Sequence, residues 1–314
     1  MSSVTTAVID VGTLKAKFEV CTFDSNFTPQ TLYKDKKLTV LGRDLEKNGN
    51  FIIEKSVKST IEALKEYSKK ICQHNVSVYK AVTTEAIRTA KNSEEVLNRI
   101  ERETDIRLEK IGQEEEASIY FHSVSKDFPG QIIAVSDIGG GSVQVVIGKD
   151  QDIYSIHSFK TGTYFLQEKF SKSHPKHHPS KAELEQVKQY IKENLNELRN
   201  IKYKPELLVY GSSNIIDFLK VMNIKLVSRN KGSTLHPYRT CVENLIPAYE
   251  KIIKYNYEDR MPMYPEEPYY MWAADRALLN IFQIAENLAV TEVYPSNNNI
   301  SSGLLYDLAL NYGK

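Results

Sequence analysis

The stretch Val135-Ser136-Asp137-Ile138-Gly139-Gly140-Gly141-Ser142 ends an apolar run in a carboxylate, follows it with three glycines, and closes on a hydroxyl; a second apolar run, Val143 to Gly148, comes next. Glycines lack Cβ, so the chain turns sharply and backbone N–H groups come close to an anion. A buried strand that delivers an aspartate to such a turn is what a phosphate or metal–phosphate site needs. A plain hairpin with a permissive glycine turn has the same local pattern, so the segment alone leaves both readings open. A smaller copy stands near the start. Ala7-Val8-Ile9-Asp10-Val11-Gly12-Thr13 closes a short apolar run on Asp and Gly, and Lys15 to Thr22 alternates with Ala16, Phe18 and Val20 on one face. Strand, Asp, Gly, hydroxyl and strand, met twice, predict an internally duplicated, two-lobed fold.

A chain of 314 residues is long for one core, which makes two domains the natural expectation. Hydrophobic residues are 41% and charged residues 26%, ordinary for a globular protein. A net charge of +1 offers no global field for a polyanion, so DNA is not an expected partner and any anion site must be local. Cys21, Cys72 and Cys241 lie far apart and outside metal-ligand spacing, which predicts small core residues in a reducing compartment. Met1 to Thr6 carries no signal-peptide pattern, and charges interrupt each apolar run before membrane-spanning length. The expectation is a cytoplasmic protein with no membrane partner.

Between these segments the pattern alternates strands and helices. Leu38 to Leu41 reads as a strand, Ser56 to Cys72 as an amphipathic helix, and Val76 to Val82 as a strand that passes into helical composition at Thr83 to Arg88. Ser93 is the expected N-cap of the next helix, and Ile106 to Ile111 a strand ahead of Gln113-Glu114-Glu115-Glu116-Ala117. Beyond the glycine turn come a strand over Ile153 to Phe159, a helix over Thr161 to Phe170 and a polar loop with His174, His177 and His178. That loop reads as solvated rather than as a metal site. A helix over Lys181 to Leu198 begins with Ser180 and Glu183 in capping-box positions. The strand Leu207 to Tyr210 ends in Gly211-Ser212-Ser213, which reads as opening a helix; two more helices, a strand at Thr291 to Tyr294 and a last helix from about Ser301 follow. The class is α/β.

Five segments now stand in one order: Asp10-Val11-Gly12-Thr13, Thr84-Glu85-Ala86-Ile87-Arg88, Glu115-Glu116-Ala117, Asp137 to Ser142, and Gly211-Ser212-Ser213. In this order the chain resembles, over essentially its whole length, the Ppx/GppA family of exopolyphosphatases and guanosine pentaphosphate phosphohydrolases. Leu41 to Leu45, Gly162 to Phe170 and Ile300 to Leu305 agree with it. The resemblance implies a duplicated actin-like ATPase (ribonuclease H-like) fold. Its domains would span 1–120 and 121–300 around a central cleft, with a helix over 301–314 packing back toward the first. It implies Mg²⁺ (or Mn²⁺)-dependent release of terminal phosphate from polyphosphate or from guanosine pentaphosphate (pppGpp). The two Asp–Gly turns would face each other across the cleft. Asp10 and Asp137 would hold the metal, since hard cations prefer oxygen ligands. Gly12, Thr13, Gly139, Gly140, Gly141, Ser142, Gly211 and Ser212 would bind phosphate, with Lys15 adding a charge from the first turn. Arg88 would grip phosphate with its planar fork, and Glu116 would be the general base or water-orienting group. Homodimers occur among such relatives and are an open alternative here.

Several positions depart from the family pattern. The first turn continues as Leu14-Lys15 rather than Asn-Ser or Asn-Thr. Val143-Gln144 follows Ser142 in place of Thr-Glu, removing a charge that would support metal binding. Phe165 stands where an arginine is common. A second reading follows from these changes: a non-catalytic or weakly active sensor of polyphosphate or nucleotide on the same fold. Sugar or acid kinase chemistry ranks below both, because Glu116 follows the phosphatase pattern.

Overall fold

The apolar run ahead of Asp10 becomes the central strand β1 (Val4–Val11), buried continuously from Thr6 to Val11. Its neighbours are β2 (Lys15–Phe23) and β3 (Pro29–Leu38), which complete an antiparallel meander. In this computed structural model, which describes residues 4–24, 29–171, 176–211, 214–229 and 236–312, the chain divides into two units. One is Met1–Tyr120 with Ile300–Lys314, the other Phe121–Asn299.

In the first unit, helix α1 (Glu54–Gln73) leads to β4 (Val78–Thr83), parallel to β1. Helices α2 (Glu85–Thr89) and α3 (Ser93–Thr104), the two-residue strand β5 (Glu109–Lys110) and helix α4 (Gln113–Ser125) follow. The sheet order is β3-β2-β1-β4-β5. Helix α1 turns Val57, Ile61, Leu64 and Tyr67 inward. Tyr67 stacks on Phe18 at 4.9 Å between ring centres and donates its hydroxyl to Ala16 O, so its polar end is satisfied in the core.

The second unit repeats the plan. β6 (Ile132–Ile138), β7 (Val143–Lys149) and β8 (Asp152–Phe159) form an antiparallel meander. Helices α5 (Thr163–Phe170) and α6 (Lys181–Asn194) lead to β9 (Leu207–Gly211), parallel to β6. Then come α7 (Ile215–Val221), β10 (Val227–Ser228), β11 (Tyr238–Cys241), α8 (Ile246–Ile252), α9 (Tyr257–Arg260), α10 (Ala274–Leu288) and β12 (Glu292–Ser296). The order is β10-β11-β12-β9-β6-β7-β8. An antiparallel meander followed by parallel strands, built twice, is the duplicated actin-like α/β fold. The last helix, α11 (Ile300–Asn311), belongs to the first unit. There Leu304 and Leu305 join the core of Val8, Cys21 and Val82.

Some local expectations are corrected. β3 was not anticipated: PQTLYKDKKL has no fully buried residue, because it is an edge strand, and so shows no apolar alternation. The strand expected over Leu38 to Leu41 ends at Leu38, since Val40 takes a φ of 48° and the N–H groups of Thr39 and Val40 both donate to Leu14 O. Ser93 is the first helical residue rather than the cap, and the side chain of Asn92 before it bonds Ile52 instead of its own helix. The strand at 106–111 shrinks to Glu109–Lys110. Cys21 is buried as expected, but Cys72 and Cys241 are exposed thiols. The Ser180–Glu183 capping box is formed.

Within the second unit lies a buried ionic cluster. Asp275 Oδ2 sits 3.2 Å from Arg260 Nη1, and Arg276 Nη1 donates to Asp275 Oδ1 at 3.1 Å. Arg276 also donates to the Tyr257 hydroxyl and to Trp272 O. The three charged residues are 0–2% exposed.

Candidate functional site

The turn after Asp10 is a hairpin turn with Thr13 and Leu14 at its tip, closed by Gly12 N–H donating to Lys15 O at 3.0 Å. The turn after Asp137 is built alike, with Gly140 and Gly141 at the tip and Gly139 N–H donating to Ser142 O at 3.0 Å. The N–H groups of Gly12 and Gly139 therefore hold the turns together and are not the anion donors the sequence leads one to expect. Lys15 enters the first turn through its carbonyl.

The tip carbonyls are also engaged. Thr13 O accepts from Gly42 N–H, and Leu14 O accepts from Thr39 and Val40. Gly139 O accepts from Thr163 N–H, and Gly140 O accepts from Tyr164 and Phe165 at the start of α5. Every described peptide bond is trans. In a trans peptide the N–H lies opposite the C=O, so the N–H groups of Leu14, Gly140 and Gly141 point away from these supports. Each turn thus presents amide donors on one side because its carbonyls are held on the other, the arrangement an anion seat requires.

Gly162 is where this support is tightest. A Cβ there would meet Gly141 C, Ser142 N and Gly140 O, all backbone atoms that no rotamer change can move aside. Gly162→Ala is expected to cost about 1–3 kcal/mol, as overpacking does. Urea unfolding checks this, and a midpoint equal to the parent's at unchanged slope would disprove the close approach.

The cross-strand partners of the two aspartates differ. Asp10 pairs in register with Lys17, and Lys17 Nζ lies 3.2 Å from Asp10 Oδ2. Asp137 pairs in register with Gln144, whose Nε2 donates to Ser142 Oγ at 2.8 Å. Lys17 was missed in the sequence, although it lies as far beyond the turn tip as Asp10 lies before it, which was the available signal. Gln144, the departure noted above, thus supports the Ser142 hydroxyl.

Arg88 and Glu116 come together in the first unit. Arg88 Nη1 donates to Glu116 Oε2 and to Ile111 O, both at 2.9 Å, and Nη2 donates to Glu85 Oε2 at 3.1 Å. The Nε of Arg88 is buried without a hydrogen-bond partner among the described residues. Burial pushes the Glu85 carboxyl up, but hydrogen bonds and charge from Arg88, with Gln113 and Thr89, outweigh it and hold its pKa below the usual carboxylate range. Glu85 therefore remains charged beside Arg88. A cavity of about 510 Å³ is lined by Glu85, Arg88, Thr89, Gly112, Gln113 and Glu114. The bland reading of Glu114-Glu115-Glu116 is an acidic first helical turn. Glu114 and Glu115 are exposed, whereas Glu116 is half-buried on Arg88.

Gly211 ends β9 between its in-register partners Asp137 and Ser296. Helix α7 starts only at Ile215, after Asn214 in the left-handed region, so Gly211 does not sit on a helix N-terminus as expected. Ser212 lies outside the described residues, as does His174. His177 bonds Glu183 of the capping box, and His178 bonds Pro179 O. Among the described residues no group of three or more His, Cys, Asp or Glu is placed to hold a metal ion. Asp127, His236 and Ser296 form an acid–imidazole–hydroxyl chain, with 2.9 Å and 2.8 Å at the two ring nitrogens. Its imidazole and hydroxyl are 0% exposed, out of reach of any substrate.

The fold is a duplicated actin-like α/β fold with an Asp–Gly hairpin turn in each half. A family model for the Ppx/GppA phosphatase family matches residues 20–265. The chain belongs to that family. It is 32% identical over 206 residues to a bifunctional 3-dehydroquinate synthase/phosphatase of Fusobacterium nucleatum, covering 62% of this chain and 31% of that protein. It is 28% identical over 148 residues to exopolyphosphatase 1 of Mycobacterium tuberculosis, covering 46% and 42%. The chain thus matches less than half the length of these relatives. Among solved structures it is similar to an exopolyphosphatase from Cytophaga hutchinsonii, with TM-score 0.84, 24% identity and 97% of each chain covered. It is also similar to the Aquifex aeolicus Ppx/GppA family member, with TM-score 0.77, 24% identity and 99% of each chain covered. No described helix is long and apolar enough to cross a membrane.

Proposed function

We propose that the chain is a cytoplasmic phosphoanhydride hydrolase that releases terminal phosphate from inorganic polyphosphate, with pppGpp as a second substrate and Mg²⁺ (or Mn²⁺) as cofactor. The observation that carries this reading is the Arg88–Glu116 contact at 2.9 Å, with Arg88 lining a cavity of about 510 Å³. Arg88, at the cavity wall, takes a phosphate oxygen on its guanidinium, neutralising charge that builds up during phosphoryl transfer. Glu116 orients the attacking water and accepts its proton. The outward N–H groups of Leu14, Gly140 and Gly141 hold phosphate oxygens.

The donors available to a cation are hard carboxylate oxygens, which suits Mg²⁺ and Mn²⁺. Asp10 and Asp137 would supply those oxygens, with water and substrate oxygens completing the shell. When bound, the cation offsets the negative charge of the phosphate oxygens. Lys17 beside Asp10 already supplies part of that charge.

Incubation of the purified protein with polyphosphate and with pppGpp, each with Mg²⁺ or with EDTA, tests the proposal. Phosphate release in Mg²⁺ that EDTA abolishes is the expected result, and release no faster than that of Glu116→Gln would overturn it. The sensor reading draws on Lys17 at Asp10 and Gln144 at Ser142, which favour binding over metal-assisted turnover. It predicts a ligand-induced rise in Tm with no phosphate released.

A further inference from the structure

We propose that Asn280, on α10, is a positioning residue for the Gly139–Ser142 turn; this rests on the reading of that turn as a phosphate seat. Asn280 is 0% exposed, and its side-chain amide donates to Thr161 O and Arg276 O rather than to the turn. Its Nδ2 donates to Thr161 O at 3.0 Å and to Arg276 O at 2.9 Å, and its Oδ1 is buried without a partner among the described residues. A buried acceptor without a partner is costly, and an apolar residue of the same size would avoid that cost. What an amide adds at this position are its bonds to Arg276 O, one turn back on its own helix, and to Thr161 O outside it.

Thr161 is the residue before Gly162, whose missing Cβ lets it lie against Gly140, Gly141 and Ser142. The next three N–H groups, of Thr163, Tyr164 and Phe165, hold the carbonyls of Gly139 and Gly140. One turn earlier on α10, Arg276 Nη2 donates to the Ser171 hydroxyl at 3.3 Å, just past the other end of α5. Helix α10 is buried along most of its length, so it is a rigid base. From that base, Asn280 and Arg276 hold both ends of the 161–171 segment, and the segment aims the turn. Asn280 is the nearer of the two supports. Loosening it frees the turn carbonyls to rotate, and the amide donors opposite them rotate too.

The test uses Asn280→Leu, which keeps the branching and heavy-atom count and removes the donor, with Asn280→Ala as a second variant should the bulkier Leu not fold. Amide hydrogen exchange is read at 139–142 and 163–165, with β9 (Leu207–Gly211) as the internal reference. Tripolyphosphate affinity is read by calorimetry, and KM and kcat on polyphosphate are measured separately. The expected result is roughly tenfold faster exchange at the turn with β9 unchanged, and roughly tenfold weaker tripolyphosphate binding, expressed in KM more than in kcat, as the loss of one hydrogen bond would give. Unchanged turn exchange, or a rise shared equally by β9, overturns the proposal. If the parent protein binds no tripolyphosphate, the phosphate-seat reading fails, while the exchange measurement still decides whether Asn280 holds the turn.

Discussion

Glu116→Gln is expected to lower phosphate release from polyphosphate by about 10²–10⁴-fold, the range for losing a positioned general base. The amide oxygen of the replacement still accepts from Arg88 Nη1, the bond Glu116 makes at 2.9 Å, so the guanidinium keeps its place. What disappears is the group that takes a proton from water. The loss should therefore fall on kcat, with KM within about threefold, because the interaction removed is one made mainly in the transition state. Steady-state kinetics on purified parent and variant, with folding checked by Tm, decide the matter. A fall of less than tenfold would show that Glu116 is an acidic helix residue whose only task is to pair with Arg88.

The largest expected effect on stability belongs to Asp275. It lies between the guanidiniums of Arg260 and Arg276, and all three are 0–2% exposed. Removing its charge leaves two buried cations without a counter-ion, which is expected to cost about 3–5 kcal/mol. Asp275→Asn makes that change with little change of shape. Burial raises the Asp275 pKa, but Arg276 and then Arg260 outweigh it, and the carboxyl is held below the ordinary carboxylate value. A depressed folded pKa contributes stability that is complete above the unfolded pKa, about 3.9 for Asp. It is lost as pH falls from there through the folded pKa. Urea midpoints for parent and Asp275→Asn should therefore be far apart at pH 7 and draw together only below about pH 4. A gap under about 1 kcal/mol at pH 7 would mean that the two arginines are not truly dependent on this carboxylate.

How much could be read in advance varied from residue to residue. Asp10 and Asp137 with their glycine turns were legible because a hairpin is local: an apolar strand, a turn and a second strand lie within some fifteen residues of one another. The Ser180–Glu183 capping box was legible for the same reason. β3 was not, since a polar edge strand has no buried face to impose a period. Nor was the role of Asn92, whose side chain serves Ile52, 40 positions away, rather than its own helix. The identity of the amide donors also escaped a pattern-based reading. Any glycine in a turn looks available, but the N–H groups of Gly12 and Gly139 close their own turns.

By itself, then, the sequence determined the two Asp–Gly hairpins, the α/β class and the order of segments that marks the family. Each of these is written in neighbouring residues or in their order along the chain. Only the tertiary structure decided which side chains meet. Arg88 reaches Glu116 across 28 positions because β4 and β5 run parallel and bring α2 beside the start of α4. Asn280 reaches Thr161 across 119 positions because α10 packs against α5. Lys17 reaches Asp10 because the hairpin register puts them opposite each other. Such contacts depend on strand register and helix packing, and burial sums over the whole unit settle those. The turns themselves are local, whereas the charges and supports around them are not.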